Sequence, residues 1–194
     1  MTVSADIGRP RRQFTADEYH RMAESGVLGE DDRVELLEGE IVEMTPIGSE
    51  HAGYTNRLNG LLQERVGSEC IVSVQNPVSL GTFSEPEPDL ALLRDREDDY
   101  ISDLPGSEDV LLIIEVADTS LEDDRRAKVP LYARHGIPAV WIVNLQDDVV
   151  EVYEEPDRET EAYGRRRVTE GEDVLRLDGP PDLAIMVREI FSSE

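Results

Sequence analysis

The chain has 194 residues, of which 39% are hydrophobic, and Cys70 is its single cysteine. This length predicts one domain, residues 1–194, that can bury a core, and one cysteine excludes an internal disulfide. No stretch approaches the ~18 apolar residues of a membrane span, so we expect a cytoplasmic protein with no membrane segment. Residues 1–13 contain three arginines but no apolar run, and we expect them to be flexible.

The charge is strongly acidic, because 44 Asp and Glu face 19 Lys and Arg and leave a net charge of −25. Affinity for phosphates comes from Lys and Arg, so this balance argues against general nucleic-acid binding. A salty cell interior would tolerate such charge, since at about 1 M salt the Debye length falls to roughly 3 Å. A generally acidic cytosolic protein is the simpler explanation. Lys128 is the only lysine.

The predicted elements run helix, strand, helix, strands, helix, strands. Thr15 and Glu18 have capping-box spacing, which begins the first helix, and Ser49 caps a second helix over 49–66. Thr119 or Ser120 starts a third helical segment that ends at 135–136, and Pro130 predicts that this segment becomes regular only near 125–128. Apolar patterns predict strands at 40–44, 71–80, 89–93, within 109–118, and at 139–145, 149–153 and 165–169. This order predicts an α/β sandwich around a mixed β-sheet.

Two carboxylates occupy the ends of predicted strands. The apolar run 110–114 predicts a strand buried on both faces, and Glu115 follows near its end. An ionised carboxylate is costly to bury unless a charge or a metal meets it. Asp89 follows Pro88 and begins another apolar strand, so Asp89 and Glu115 could hold a divalent cation between them. Alternatively, Glu115 faces solvent and Asp89 caps a turn.

Glu35, Asp89, Glu115 and Lys128 together are chemically sufficient for metal-assisted phosphodiester hydrolysis. Mg²⁺ prefers oxygen ligands and commonly takes one or two carboxylates. Such a site activates water and neutralises charge on a phosphate, and an ammonium stabilises the transition state. His51 lies in the first turn of a predicted helix, where an exposed histidine without a site role is the simpler interpretation.

Four segments, residues 35–40, 88–89, 115–120 and 128–143, occur in the order and spacing of one known family. Over roughly residues 14–153 the sequence resembles a large bacterial family of restriction endonucleases within the PD-(D/E)XK nuclease superfamily. The resemblance implies a restriction-endonuclease-like core, a mixed sheet flanked by helices, with DNA as substrate. It also implies Mg²⁺ as cofactor, with Mn²⁺ as a substitute, and it favours a homodimer because restriction-type nucleases are often dimers.

The resemblance assigns roles to individual residues. Asp89 and Glu115 match the acidic residues that bind the metal, and Val116 holds the X position, whose carbonyl would be a further ligand. Ala117 stands where the simplest pattern has lysine. The resemblance places the missing lysine on the following helix, at Lys128, which would then have to reach back to the same site.

Two classes of function remain open. Glu35 matches an acidic residue before the first core strand that often assists the metal or water, so all four site residues are present. Their presence favours a Mg²⁺-dependent DNA endonuclease. The charge of −25 and the lack of a basic stripe favour a catalytically inactive binding or regulatory protein with the same fold. A hydrolase that uses only the carboxylate pair would not need Lys128.

Overall fold

The computed structural model describes residues 11–29, 31–177, 179 and 181–192. The helices are α1 (Ala16–Glu24), α2 (Ser49–Val66), α3 (Leu121–Asp123), α4 (Val129–His135) and α5 (Val187–Phe191). The strands are β1 (Val34–Leu37), β2 (Glu40–Glu43), β3 (Cys70–Val74), β4 (Leu90–Arg94), β5 (Val110–Ala117), β6 (Ala139–Asn144), β7 (Val149–Asp157), β8 (Ala162–Glu170), β9 (Val174–Arg176) and β10 (Ala184–Met186). No helix in these ranges is long and apolar enough to cross a bilayer.

A six-stranded sheet in the order β3-β4-β5-β6-β7-β8 forms the centre of the fold. Strands β5 and β6 run parallel, whereas every other neighbouring pair in this sheet is antiparallel. Both central strands are buried at every position, as their continuous apolar sequences predict. The parallel pair requires a crossover, which α3 and α4 supply. The predicted α/β architecture with a mixed sheet and flanking helices is confirmed.

The sheet separates two apolar layers because successive side chains of a strand point to opposite faces. On one face, Ile114 and Trp141 pack with Leu58 and Leu62 of α2. On the other face, Ile113 packs in the same cluster as residues of α4. The two helices therefore cover opposite sides of β5, and both reach the strand end that carries Glu115.

The hairpin of β1 and β2 lies outside the central sheet and is fixed beside the segment that enters β4. The Glu85 N–H donates to the Leu36 carbonyl at 2.7 Å, and the Glu38 N–H donates to Ser84 Oγ at 2.9 Å. Gly39 turns the hairpin with φ of +80°, and a side chain there would collide with Gln13. These contacts place Glu35 of β1 near the start of β4.

The crossover begins where the sequence predicted, because Ser120 is the N-cap residue and helical structure begins at Leu121. A π-helical turn, Asp124–Lys128, joins α3 to α4, and the Val129 N–H donates to the Asp124 carbonyl. Pro130 has no N–H and its ring would crowd the carbonyl four residues earlier, so a wider turn accommodates it. Regular α-helix therefore resumes only at Val129, just after the predicted 125–128.

Two further boundaries differ from the sequence predictions. Strand β3 ends at Val74, well short of residue 80, because Gln75 adopts a φ of 50° that no strand continues. Helix α2 has Gly48 as its N-cap residue, and Ser49 is its first helical residue. Residues 1–10 of the predicted flexible segment lie outside the described residues, while Gln13 donates to the Glu38 carbonyl at 2.9 Å.

Candidate active site

A cleft of about 680 Å³ opens between the β1–β2 hairpin, the first turn of α2 and the crossover. Ten Asp and Glu side chains line this cleft, together with Arg33, Lys128 and His51. All four predicted catalytic residues, Glu35, Asp89, Glu115 and Lys128, are among the lining residues. The four residues predicted from the sequence therefore share one cleft.

Strand register brings Asp89 beside the end of β5. Leu90 of β4 pairs with Ile114 of the antiparallel β5, so Asp89 lies next to Glu115 and Val116. The Val116 N–H donates to Asp89 Oδ2 at 2.8 Å. Asp89 Oδ1 accepts a longer bond of 3.4 Å from Gln75 Nε2. The Asp89 carboxylate is thus held by a backbone donor of β5 and by a side-chain donor of the residue that follows β3.

Lys128 lies between two buried carboxylates. Its Nζ is 3.2 Å from Glu35 Oε2 and 3.4 Å from Glu115 Oε1. Glu35 Oε2 also accepts a hydrogen bond from the Glu87 N–H at 3.1 Å. The structure therefore brings Glu35, Glu115 and Lys128 into one cluster, with Asp89 in the same cleft.

Tyr132 holds the other side of Glu115. Its hydroxyl donates to Glu115 Oε1 at 2.6 Å, and both side chains are buried. Lys128 and Tyr132 are four residues apart along a continuous helical segment, so they project from one face. Two side chains of the crossover thus contact Glu115, namely the Lys128 ammonium and the neutral Tyr132 hydroxyl.

Burial dominates the electrostatics of the cluster. Desolvation raises the pKa of Glu115 to about 8, although Lys128 opposes the shift, and Asp124 and Asp89 add to it. Burial disfavours the charged form of Lys128, but the surrounding carboxylates outweigh it and raise the pKa of the lysine. The cluster therefore contains more buried carboxylate than one ammonium neutralises.

Asp124 belongs to the cleft but was not among the predicted residues. It is 5% exposed, and Ser120 Oγ donates to its Oδ2 at 2.8 Å. Burial raises its pKa to about 6, against the effect of Lys128. Its position four residues before Lys128 on a helical segment was the available signal, because that spacing places both side chains on one face.

His51 is not the exposed residue that the sequence predicted. Its Nε2 lies 3.1 Å from Asp89 Oδ2, and its side chain is 17% exposed. The hydrogen bond with Asp89 raises the pKa of His51, in opposition to burial. Its Nδ1 is buried and has no hydrogen-bond partner among the described residues. Nothing in the sequence near His51 indicated this partner.

A divalent cation fits the donors that the cleft contains. Asp89 and Glu115 offer carboxylate oxygens at neighbouring strand ends, and Mg²⁺ commonly needs only one or two carboxylates. The Val116 carbonyl faces the same side as its N–H, since both groups of a strand residue point to one neighbour. Within the described ranges no three His, Cys, Asp or Glu side chains form a complete metal centre. Waters and substrate oxygens would therefore have to complete the coordination.

The mixed sheet, its helical layers and the cleft with its carboxylates and lysine have the arrangement that the resemblance to restriction endonucleases implies. The model of the Uma2 family, described as "Putative restriction endonuclease", matches residues 16–188, and the chain belongs to this family. The chain is also similar to the crystal structure of "a putative nuclease belonging to DUF820" from Anabaena variabilis ATCC 29413. That match has a TM-score of 0.69 and 14% sequence identity, and it covers 92% of this chain and 97% of the other. A comparison with curated proteins finds no match.

We expect Tyr132→Phe to reduce the free energy of unfolding by about 1.5–3 kcal/mol, because it removes a buried hydrogen bond to a carboxyl group. Tyr163→Phe is the matched control, since its hydroxyl donates to the neutral Ile137 carbonyl at 2.8 Å, outside the cleft. Its expected cost is about 1 kcal/mol. Urea unfolding measures both variants, and equal losses would contradict a special role for the Tyr132 bond.

Proposed function

We propose that this chain is a Mg²⁺-dependent endonuclease that hydrolyses phosphodiester bonds of DNA. The observation that carries the proposal is the position of Lys128, whose Nζ lies within 3.4 Å of Glu115 and 3.2 Å of Glu35. Ala117 leaves the expected lysine position empty, and a lysine of the crossover reaches the same strand end from another element. Membership in the Uma2 family supports the same reaction class.

Each residue then has a specific task. Asp89, Glu115 and the Val116 carbonyl would hold the cation, with Mn²⁺ as a substitute for Mg²⁺. When bound, the cation supplies charge neutralisation on the phosphate and activation of water. Lys128 keeps an ammonium beside the reacting phosphate, where it offsets developing negative charge. Glu35 fixes the lysine by its 3.2 Å contact, and Tyr132 orients Glu115 through its hydroxyl.

Asp89→Asn tests the proposal with little change of shape. We expect Mg²⁺-dependent nicking of plasmid DNA by the wild type and at least a hundredfold slower nicking by the variant, on the order of losing one charged transition-state contact. The Val116 N–H can still donate to the amide oxygen of the variant, so the fold should be kept. EDTA is the blank for both proteins.

Asp182→Asn is the matched control, because Asp182 also follows a proline but is exposed and lies outside the cleft. Mg²⁺ should raise the melting temperature of the wild type and of the control but not of Asp89→Asn, since a ligand stabilises the state that binds it. Equal nicking by all three proteins would refute the role of Asp89.

A second candidate is an inactive binding or regulatory protein with the nuclease fold. The observation that favours it is the lining of the cleft, where ten carboxylates face Arg33 and Lys128 and would repel DNA. A wild type that shows neither nicking nor a Mg²⁺-induced rise in melting temperature would favour this candidate.

Assembly and location complete the proposal. We propose a homodimer, because two copies can act on the two strands of a duplex, and light scattering of the purified chain tests this. A DNA substrate is also the reason to place the protein in the cytoplasm. Neither point affects the chemistry assigned to the cleft.

A further inference from the structure

Arg33 is a positively charged side chain of the cleft that is available to bind a ligand. It precedes β1, its side chain is exposed, and it lines the cleft. Lys128, the other strong cation of the lining, is already engaged by Glu35 and Glu115. Within the described part of the chain, by contrast, Arg33 makes no ion pair and no side-chain hydrogen bond. An unpaired guanidinium in so acidic a cleft is an available anion-binding group.

The position of Arg33 relative to the proposed metal ligands follows from its neighbours. The Met44 N–H donates to the Arg33 carbonyl at 2.9 Å, which fixes the backbone at the open end of the hairpin. Arg33, Glu87 and Asp89 all line the cleft. Arg33 therefore faces the same cleft as the proposed metal ligand Asp89, from the hairpin side.

Several other arginines of the described residues have acidic partners. Arg125 pairs with buried Glu151, and Arg134 pairs with Glu38 at the outer part of the hairpin. In a chain with 44 acidic residues, carboxylates are plentiful partners for an exposed guanidinium. The carboxylate of β1 that is nearest in sequence, Glu35, is turned inward to Lys128.

We propose that Arg33 binds a backbone phosphate of the DNA strand that enters the cleft. This rests on the proposed function in one respect, namely that the cleft receives DNA. A guanidinium matches a phosphate with two parallel hydrogen bonds, whereas the surrounding carboxylates can only repel it. The contact holds a phosphate on the hairpin side, so that the strand lies across the end of β5. Arg33 thus positions the strand and carries no base specificity.

Binding of a fluorescein-labelled DNA duplex, measured by anisotropy with Ca²⁺ in place of Mg²⁺, tests the proposal. We expect Arg33→Gln to weaken binding about tenfold at low salt, as for loss of a charged hydrogen-bonded contact. The slope of log Kd against log[KCl] should change by about 0.9, the value for one phosphate contact. Arg33→Lys should keep the salt slope but lose part of the affinity. Lysine keeps the positive charge but lacks the planar guanidinium that donates two parallel hydrogen bonds to a phosphate.

Arg176→Gln is the matched control for the change in net charge. Arg176 is exposed on β9, lies outside the cleft and makes no ion pair with a described residue. We expect its affinity and salt slope to equal those of the wild type. If Arg33→Gln and Arg176→Gln bind alike, the phosphate contact is overturned.

The same data separate this inference from the nuclease proposal. Loss of binding in Arg33→Gln, together with a wild type that never nicks DNA, would support the phosphate contact and contradict the hydrolase. A wild type that nicks DNA, with Arg33→Gln binding like Arg176→Gln, would support the hydrolase and overturn the contact. A wild type that binds no DNA at any KCl concentration also overturns the contact.

Discussion

Lys128→Ala should reduce Mg²⁺-dependent nicking of plasmid DNA by at least about 100-fold, the cost of removing one preorganised cation from a phosphoryl site. The ammonium lies 3.4 Å from Glu115 and 3.2 Å from Glu35, whereas Arg33, the other strong cation of the described cleft lining, makes no ion pair with either carboxylate. Lys128→Arg should also be poorly active, because the broad planar guanidinium of arginine does not replace the compact ammonium of lysine.

The same substitution should also destabilise the fold. Glu35 and Glu115 are 5% and 3% exposed, and removal of their shared partner leaves them buried without a cation. Breaking such a buried pair costs about 3–5 kcal/mol. Urea unfolding should show this loss for Lys128→Ala, so nicking must be compared below its melting temperature.

Asp182→Ala is the control for both measurements, because Asp182 is exposed and outside the cleft. We expect it to keep wild-type activity and stability. A folded Lys128→Ala protein that nicks DNA as fast as the wild type would show that the lysine assignment is wrong.

Raising KCl from about 0.1 M to 2 M should raise the melting temperature by several degrees, since screening shortens from roughly 10 Å to below 3 Å. The reason is the net charge of −25, part of which is concentrated in the carboxylates that line the cleft. A gain of 1 kcal/mol corresponds to about 2–4 °C for a protein of this size. Thermal melts monitored by circular dichroism measure the shift.

A double variant, Glu43→Gln with Asp123→Asn, separates screening from other effects of salt. Both side chains line the cleft and are exposed. Because it begins with less repulsion, this variant should melt higher than the wild type at low salt and gain less from KCl. A wild-type melting temperature that stays flat or falls with KCl would contradict the hypothesis that the acidic surface is suited to a salty cell interior.

The sequence by itself determined several local elements and the mixed α/β character of the fold. Thr15 and Glu18 form the predicted capping box, and the apolar runs at 110–117 and 139–144 form the two buried central strands. A capping box is a contact between residues three apart in the sequence, so a short stretch predicts it. The burial of a strand follows from its run of apolar side chains, which is also a local property of the sequence. The order of elements then allowed a mixed sheet flanked by helices.

The tertiary structure alone decided which side chains meet in the cleft. His51 contacts Asp89, and Tyr132 contacts Glu115, across elements whose relative positions are set by strand register and helix packing. The sequence indicated neither contact, because an isolated histidine or tyrosine has the same local pattern on the surface and in a site. Lys128 could be identified as the single lysine, but its distance to Glu35 depends on a hairpin docked through Leu36 and Glu85. Contacts between residues far apart in sequence follow from how the elements pack, which local patterns do not encode.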